Sequence, residues 1–143
     1  MEALRCLIDS MIFDAIAGEP GMLELVDRLT SVRRLELLAA ATSIEQVAAT
    51  PDPAHRKRLR RVRVLVVPPS DDAALLAALA ARPGVGSADA LIATAAAARA
   101  VPFVTEDRSL REALAALVPR LPLWDWAADL RPRILALPDP AIR

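Results

Sequence analysis

Four acidic side chains stand at points where the chain passes between predicted strands and helices. They are Asp9, Glu45, Asp89 and Asp107. Carboxylates that lie close together repel one another and tend to take up protons, and a bound cation relieves that repulsion. Hard cations such as Mg²⁺ and Mn²⁺ prefer oxygen ligands, and they can activate a bound water for phosphoryl displacement. If the four acids meet, the chemistry that they allow is metal-assisted hydrolysis of a phosphodiester.

The positions of these acids along the chain give a reason to expect that they meet. Asp9 directly follows the first predicted strand, and Asp107 comes shortly after a later one. Glu45 and Asp89 fall in the first turns of predicted helices. In an open parallel sheet, ligands bind beyond the carboxyl ends of the strands. We therefore expect the four acids to line one crevice at that edge.

Each acid also has a purely structural explanation. Asp9 can make a turn at the end of a strand, and Glu45 would complete a Thr-x-x-Glu capping box that begins at Thr42. Asp89 and Asp107 can interact with the positive end of a helix dipole. Spacing alone leaves the catalytic and the structural interpretation open, and Glu45 is the weakest of the four.

The elements that must position these acids alternate along the chain. Apolar runs predict strands at residues 5–8, 35–40, 62–67, 101–104 and 121–126. Helices are predicted at residues 11–17, 22–30, from Thr42, through the basic segment 55–63, and at 71–81, 87–99 and 108–117. This alternation predicts an α/β fold, a three-layer α/β/α sandwich around a mainly parallel five-stranded sheet. We place one domain at residues 1–130 and a tail at 131–143, irregular after a short helix.

The composition narrows the class of protein. A chain of 143 residues suits one domain, and Cys6, its only cysteine, excludes an intrachain disulfide. No apolar stretch approaches the ~20 residues of a membrane span. We therefore expect a cytoplasmic protein that has no membrane partner. Basic and acidic residues balance at 18 each, so RNA affinity would have to come from a local patch.

The residues that flank the acids resemble the motifs of PIN domains. Residues 7–10, Leu-Ile-Asp-Ser, resemble the opening of such a domain, and residues 43–45 resemble its second acidic position. Residues 87–95 are similar to the Asp-Ala-Leu-Ile-Ala-x-Ala helix of VapC-type toxins. Residues 101–107 resemble a strand that ends in Thr-x-Asp. The resemblance covers residues 4–126.

The resemblance implies a Rossmann-like sheet, a Mg²⁺ or Mn²⁺ site and endonucleolytic cleavage of RNA. By position, it assigns catalysis to Asp9, Glu45, Asp89 and Asp107, with Asp9, Asp89 and Asp107 as metal ligands. Thr105 and Ser10 would be hydroxyls that support the ligands. Many VapC-like proteins are toxins of type II toxin–antitoxin systems and form homodimers, so the implied partners are RNA, an antitoxin and a second copy.

A basic block and two tryptophans have more than one interpretation. Arg56, Lys57, Arg60 and Arg61 either contact RNA phosphates or form a solvated helix face. Trp124 and Trp126 lie two residues apart, so a strand would place both on one face, for packing rather than base stacking. Pro122 within that strand favours an edge position.

Two other functions remain as alternatives. The same fold can serve as a catalytically silent binding or scaffold protein whose acids hold no metal. A phosphotransferase or receiver domain is disfavoured, because no Asp-x-Asp pair follows the first strand and Lys57 is the only lysine.

Overall fold

The computed structural model describes residues 2–142. The strands are β1 (Leu4–Ile8), β2 (Leu35–Ala40), β3 (Leu65–Val67), β4 (Phe103–Val104) and β5 (Leu123–Trp124). The helices are α1 (Ser10–Gly18), α2 (Met22–Ser31), α3 (Ala41–Ala48), α4 (Pro53–Arg60), α5 (Ala73–Ala80), α6 (Ser87–Arg99), α7 (Arg108–Leu117) and α8 (Arg131–Ala136). A π-helical turn, Trp126–Leu130, leads into α8.

The strands form one parallel sheet in the order β3-β2-β1-β4-β5. Leu7 of β1 lies between Leu38 of β2 and Phe103 of β4. Strands that are buried on both faces are apolar without interruption rather than alternating, which explains the short apolar runs in the sequence. The predicted five-stranded parallel sheet is confirmed.

Helices cover both faces of the sheet, because neighbouring side chains of a strand point in opposite directions. Ile8 packs in a cluster with residues of α1 and α2, such as Phe13 and Val26. Its neighbour Leu7 packs in a second cluster, with residues of α6 and α7 such as Leu110. The three-layer α/β/α architecture that the sequence predicts is therefore confirmed.

Three predicted strands are shorter than expected, and the fourth along the chain begins at Phe103 rather than at residue 101. The third begins at Leu65, because the backbone N–H of Val62 donates to Leu59 in the turn that ends α4. The last ends at Trp124, because Trp126 begins the π-helical turn. The prediction that Trp124 and Trp126 share a strand face is therefore wrong. The edge position predicted from Pro122 is confirmed, since β5 closes one side of the sheet.

The C-terminal segment packs on the domain. Ile134 of α8 is buried in the same cluster as Ile8. Asp139 makes a bidentate ion pair with Arg28 of α2, at 3.0 and 2.8 Å. Within residues 2–142 regular structure ends at Ala136, and the division of the chain at residue 130 stays a prediction.

None of the helices within residues 2–142 combines the length and the apolar character that crossing a membrane requires.

Candidate active site

Asp9 is the buried centre of the site. It ends β1 and forms the N-cap of α1, and its side chain is 3% exposed. Its Oδ1 accepts a hydrogen bond from the backbone N–H of Ser10 at 2.8 Å, and its Oδ2 accepts one from Thr105 Oγ1 at 2.7 Å. Each carboxylate oxygen has two acceptor sites, so both oxygens retain one for a further ligand.

Thr105 connects Asp9 to Asp107. The residue is fully buried, and it follows β4, the strand next to β1. Its hydroxyl donates to Asp9 and accepts from the backbone N–H of Asp107 at 3.2 Å. Asp107 in turn forms the N-cap of α7, where its Oδ1 accepts from the N–H of Leu110 at 3.0 Å. One hydroxyl therefore joins the ends of two neighbouring strands.

Asp89 completes a group of three acids that interact electrostatically. It lies in the first turn of α6, half-buried. Burial raises its pKa, the charge of Asp107 raises it further, and a hydrogen bond from the backbone of Gly86 opposes the shift. Burial also raises the pKa of Asp9, and hydrogen bonds from Thr105 and Ser10 oppose this shift, whereas the charges of Asp89 and Asp107 add to it. The charges of Asp89 and Asp107 therefore disfavour ionisation of Asp9, and the charge of Asp107 disfavours ionisation of Asp89.

This donor set fits a hydrated divalent cation. No three His, Cys, Asp or Glu side chains among residues 2–142 lie close enough to ligate one ion together. Mg²⁺ usually keeps several waters and binds through one or two carboxylates, so it does not require such a cluster. Asp9, Asp89 and Asp107 supply only oxygen ligands, as Mg²⁺ and Mn²⁺ prefer.

The place of Glu45 in this group stays a prediction. It is exposed on α3, and the acids that shift the pKa of Asp9 are Asp89 and Asp107. The capping box predicted for Glu45 is wrong, because α3 begins at Ala41 and its N-cap is Ala40, which has no side-chain cap. Glu45 therefore does not cap its helix through that motif.

The hydroxyl of Ser10 bonds to a neighbouring helix. It donates to the amide oxygen of Gln46 on α3, and so links the start of α1 to that helix. Sequence reasoning missed Gln46, and its only signal was its position next to Glu45.

Sequence reasoning also missed Arg111. Its Nη1 donates to the carbonyl oxygens of Thr105 at 2.7 Å and Trp124 at 3.1 Å. Arg111 follows Asp107 by four residues, so the available signal was a position one helical turn after the last acid.

Two of the four residues that were predicted to bind RNA make side-chain contacts within the chain. Arg56 donates to the carbonyl of Thr50 at 2.8 Å, and Arg61 lies 3.8 Å from Glu24 of α2 in an exposed ion pair. Lys57 and Arg60 are exposed. Contact of this helix with RNA stays a prediction.

Comparison with known proteins agrees with this architecture. The sequence profile described as PIN domain matches residues 10–114. A chain in the crystal structure of VapBC2 from Rickettsia felis bound to a DNA fragment from their promoter has a TM-score of 0.59 at 14% identity, over 85% of this chain and 98% of that one. The PIN domain endonuclease Utp24 has a TM-score of 0.51 at 12% identity, over 86% and 85%. At such identities these structures show a shared fold. No curated protein matches the sequence.

Proposed function

The chain belongs to the PIN domain family, whose members are generally nucleases, and we propose that it is a metal-dependent endoribonuclease. The observation that carries this proposal is the buried carboxylate of Asp9. It is held by Thr105 and lies close enough to Asp89 and Asp107 that their charges raise its pKa. Three acids placed in this way near the carboxyl edge of a parallel sheet would provide an anionic site suited to a cation and a phosphodiester.

Each residue of the proposed site would have its own role. One or two of Asp9, Asp89 and Asp107 would bind Mg²⁺ or Mn²⁺ directly and the rest through its bound water, and Thr105 would orient Asp9 through its hydroxyl. When bound, the cation would supply Lewis-acid activation of water and neutralise charge on the phosphodiester. Glu45, exposed on α3, stays a prediction as a fourth catalytic acid acting from the rim.

Cleavage assays on single-site variants test the proposal. We expect purified protein with Mn²⁺ to cut single-stranded RNA, and Asp9→Asn and Asp89→Asn to remove that activity. The loss should exceed the ~10–100-fold typical of residues that only support a ligand. Asp71→Asn is the matched control, because Asp71 is exposed near the start of α5. Full activity in both site variants would overturn the proposal.

Calorimetry separates the enzyme from a catalytically silent scaffold. We expect Mn²⁺ to bind the wild-type protein, and Asp9→Asn and Asp89→Asn to weaken that binding. A scaffold protein on this fold would show no difference between these variants and the Asp71→Asn control. Binding of Mn²⁺ that is unchanged by both substitutions would favour the scaffold.

We further propose that the chain is the toxin of a type II toxin–antitoxin pair, with RNA as its substrate and a small antitoxin as its partner. The likeness to a chain of VapBC2 supports this assignment. Expression of the chain alone should arrest growth, and the Asp9→Asn variant should not. The homodimer expected from the resemblance is testable by sedimentation velocity, and the cytoplasmic location stays a prediction.

A further inference from the structure

Arg111 connects the carboxyl ends of two neighbouring strands beside the site. Its Nη1 donates to the carbonyl oxygen of Thr105, just after β4, and to that of Trp124, the last residue of β5. The backbone N–H of Thr105 donates to the same Trp124 oxygen at 3.0 Å. A charged donor therefore links β4 and β5 at the residue just beyond the end of β4. Charge-assisted hydrogen bonds of this kind are stronger than neutral ones.

The loop that Arg111 holds carries two residues of the site. Thr105 contacts Arg111 through its carbonyl and Asp9 through its hydroxyl. Asp107 donates its backbone N–H to the Thr105 hydroxyl, and its own carbonyl accepts from the backbone N–H of Arg111 at 2.9 Å. Arg111 thus bonds to both ends of the loop 105–107. Its side chain contacts the carbonyl of Thr105, and its backbone N–H contacts the carbonyl of Asp107.

We propose that Arg111 is a positioning residue of the nuclease site. By fixing the carbonyl of Thr105 it keeps the Thr105 hydroxyl on Asp9 and the Asp107 carboxylate beside Asp89. Supporting groups of this kind set the orientation of ligands without touching the metal. The proposal rests on the proposed function for its effect on catalysis, whereas its effect on the geometry of the loop does not depend on that function.

The test compares Arg111→Met with Arg111→Lys, which keeps a charged donor. For Arg111→Met we expect about tenfold weaker Mn²⁺ binding and about tenfold lower kcat, with KM within about twofold. We expect Arg111→Lys to recover most of both losses. If Arg111→Met fails to fold, Arg111→Gln takes its place, because its shorter neutral side chain should not hold both carbonyls.

A readout in metal-free protein makes the test independent of activity. Amide hydrogen exchange of Asp107 should be about tenfold faster in Arg111→Met, because its N–H lies in the loop that Arg111 closes. The stability control is Arg131→Met, which removes the 2.7 Å ion pair with Glu19, the residue that follows α1 at the end away from Asp9. Arg131→Met should leave Mn²⁺ affinity and the exchange of Asp107 unchanged.

The outcomes separate this proposal from the proposed function. Arg111→Met could lower Tm as Arg131→Met does but leave Mn²⁺ affinity and the exchange of Asp107 as in the wild type. Arg111 would then only stabilise the contact between α7 and the sheet, and the proposal would be wrong. If the wild-type protein neither binds Mn²⁺ nor cuts RNA, the proposed function fails. In that case the exchange of Asp107 alone decides the role of Arg111, supported by faster exchange and refuted by unchanged exchange.

Discussion

The carboxylate of Asp9 is buried, and within residues 2–142 only two hydrogen bonds stabilise its charge. Those bonds come from Ser10 and Thr105, and both oppose the rise in pKa that burial causes. The charges of Asp89 and Asp107 add to that rise. At the scale of single residues, the metal-free site is therefore destabilised by its own charge, which a cation would relieve.

This repulsion predicts how stability depends on pH in EDTA. Because the folded-state pKa values of Asp9 and Asp89 are raised, the folded protein binds more protons than the unfolded chain between the unfolded and folded values. Their contribution is thus most favourable below the unfolded pKa, about 3.9, and stability falls as pH rises through the folded values. Thermal unfolding in EDTA should show Asp89→Asn with a higher Tm than wild type at pH 7.

Saturating Mn²⁺ should reverse that order, because the ion stabilises the folded state that binds it. The control Asp71→Asn should follow the wild type in both conditions, since Asp71 is exposed and distant from the three acids in sequence. A lower Tm for Asp89→Asn than for the wild type in EDTA at pH 7 would contradict this account of the site.

At the scale of elements, substitution can separate the N-cap role of Asp107 from its proposed catalytic role. As the N-cap of α7 its side chain accepts from the N–H of Leu110. Asp107→Ala should lower the free energy of unfolding by about 1 kcal/mol, and Asp107→Asn by less, because asparagine is as good a cap. Urea denaturation measures this difference. RNA cleavage should be lost in both variants, and an active Asp107→Asn would show that Asp107 only caps the helix.

The basic residues of helix α4 and its C-terminal end allow a second comparison. Some of them are only exposed to solvent, whereas one forms an ion pair within the chain. Replacing Lys57 and Arg60 together by glutamine should weaken RNA binding and reduce the slope of log K against log salt by about 0.7 for each lost phosphate contact. Arg61→Gln is the comparison, since Arg61 pairs with Glu24. Fluorescence anisotropy with catalytically inactive Asp9→Asn protein measures both slopes. An unchanged slope in the double variant would assign this helix to solvent.

At the scale of the whole molecule, substitutions in the C-terminal segment can show whether this segment stabilises the domain. Ile134 is fully buried among residues of β1, α1 and α2, whereas its neighbour Leu135 is 49% exposed. Ile134→Ala should therefore lower the free energy of unfolding by about 2–4 kcal/mol, and Leu135→Ala by much less. Equal, small effects of the two substitutions in urea denaturation would support a dispensable tail from residue 131.

The site residues that could be predicted from the sequence are those that lie just after the end of a strand. Asp9 and Asp107 could be placed at the carboxyl edge because each follows an apolar run, and the bounds predicted for β2, α6 and α7 agree with the structure. The π-helical turn could not be predicted, because residues 121–126 form a mainly apolar run that is typical of a strand. Capping by the Asp125 side chain, which accepts from the N–H of Ala128 at 2.5 Å, starts the turn instead.

The sequence by itself determined the order of strands and helices, the parallel sheet and the candidate acids, because periodicity and local motifs act over a few residues. Only the tertiary structure decided which acids interact. The bond between Thr105 and Asp9 spans 96 residues, and the pKa shifts of Asp9 and Asp89 depend on burial by distant elements. The position of Arg111 over two strand ends was decided in the same way, by packing that no local pattern encodes.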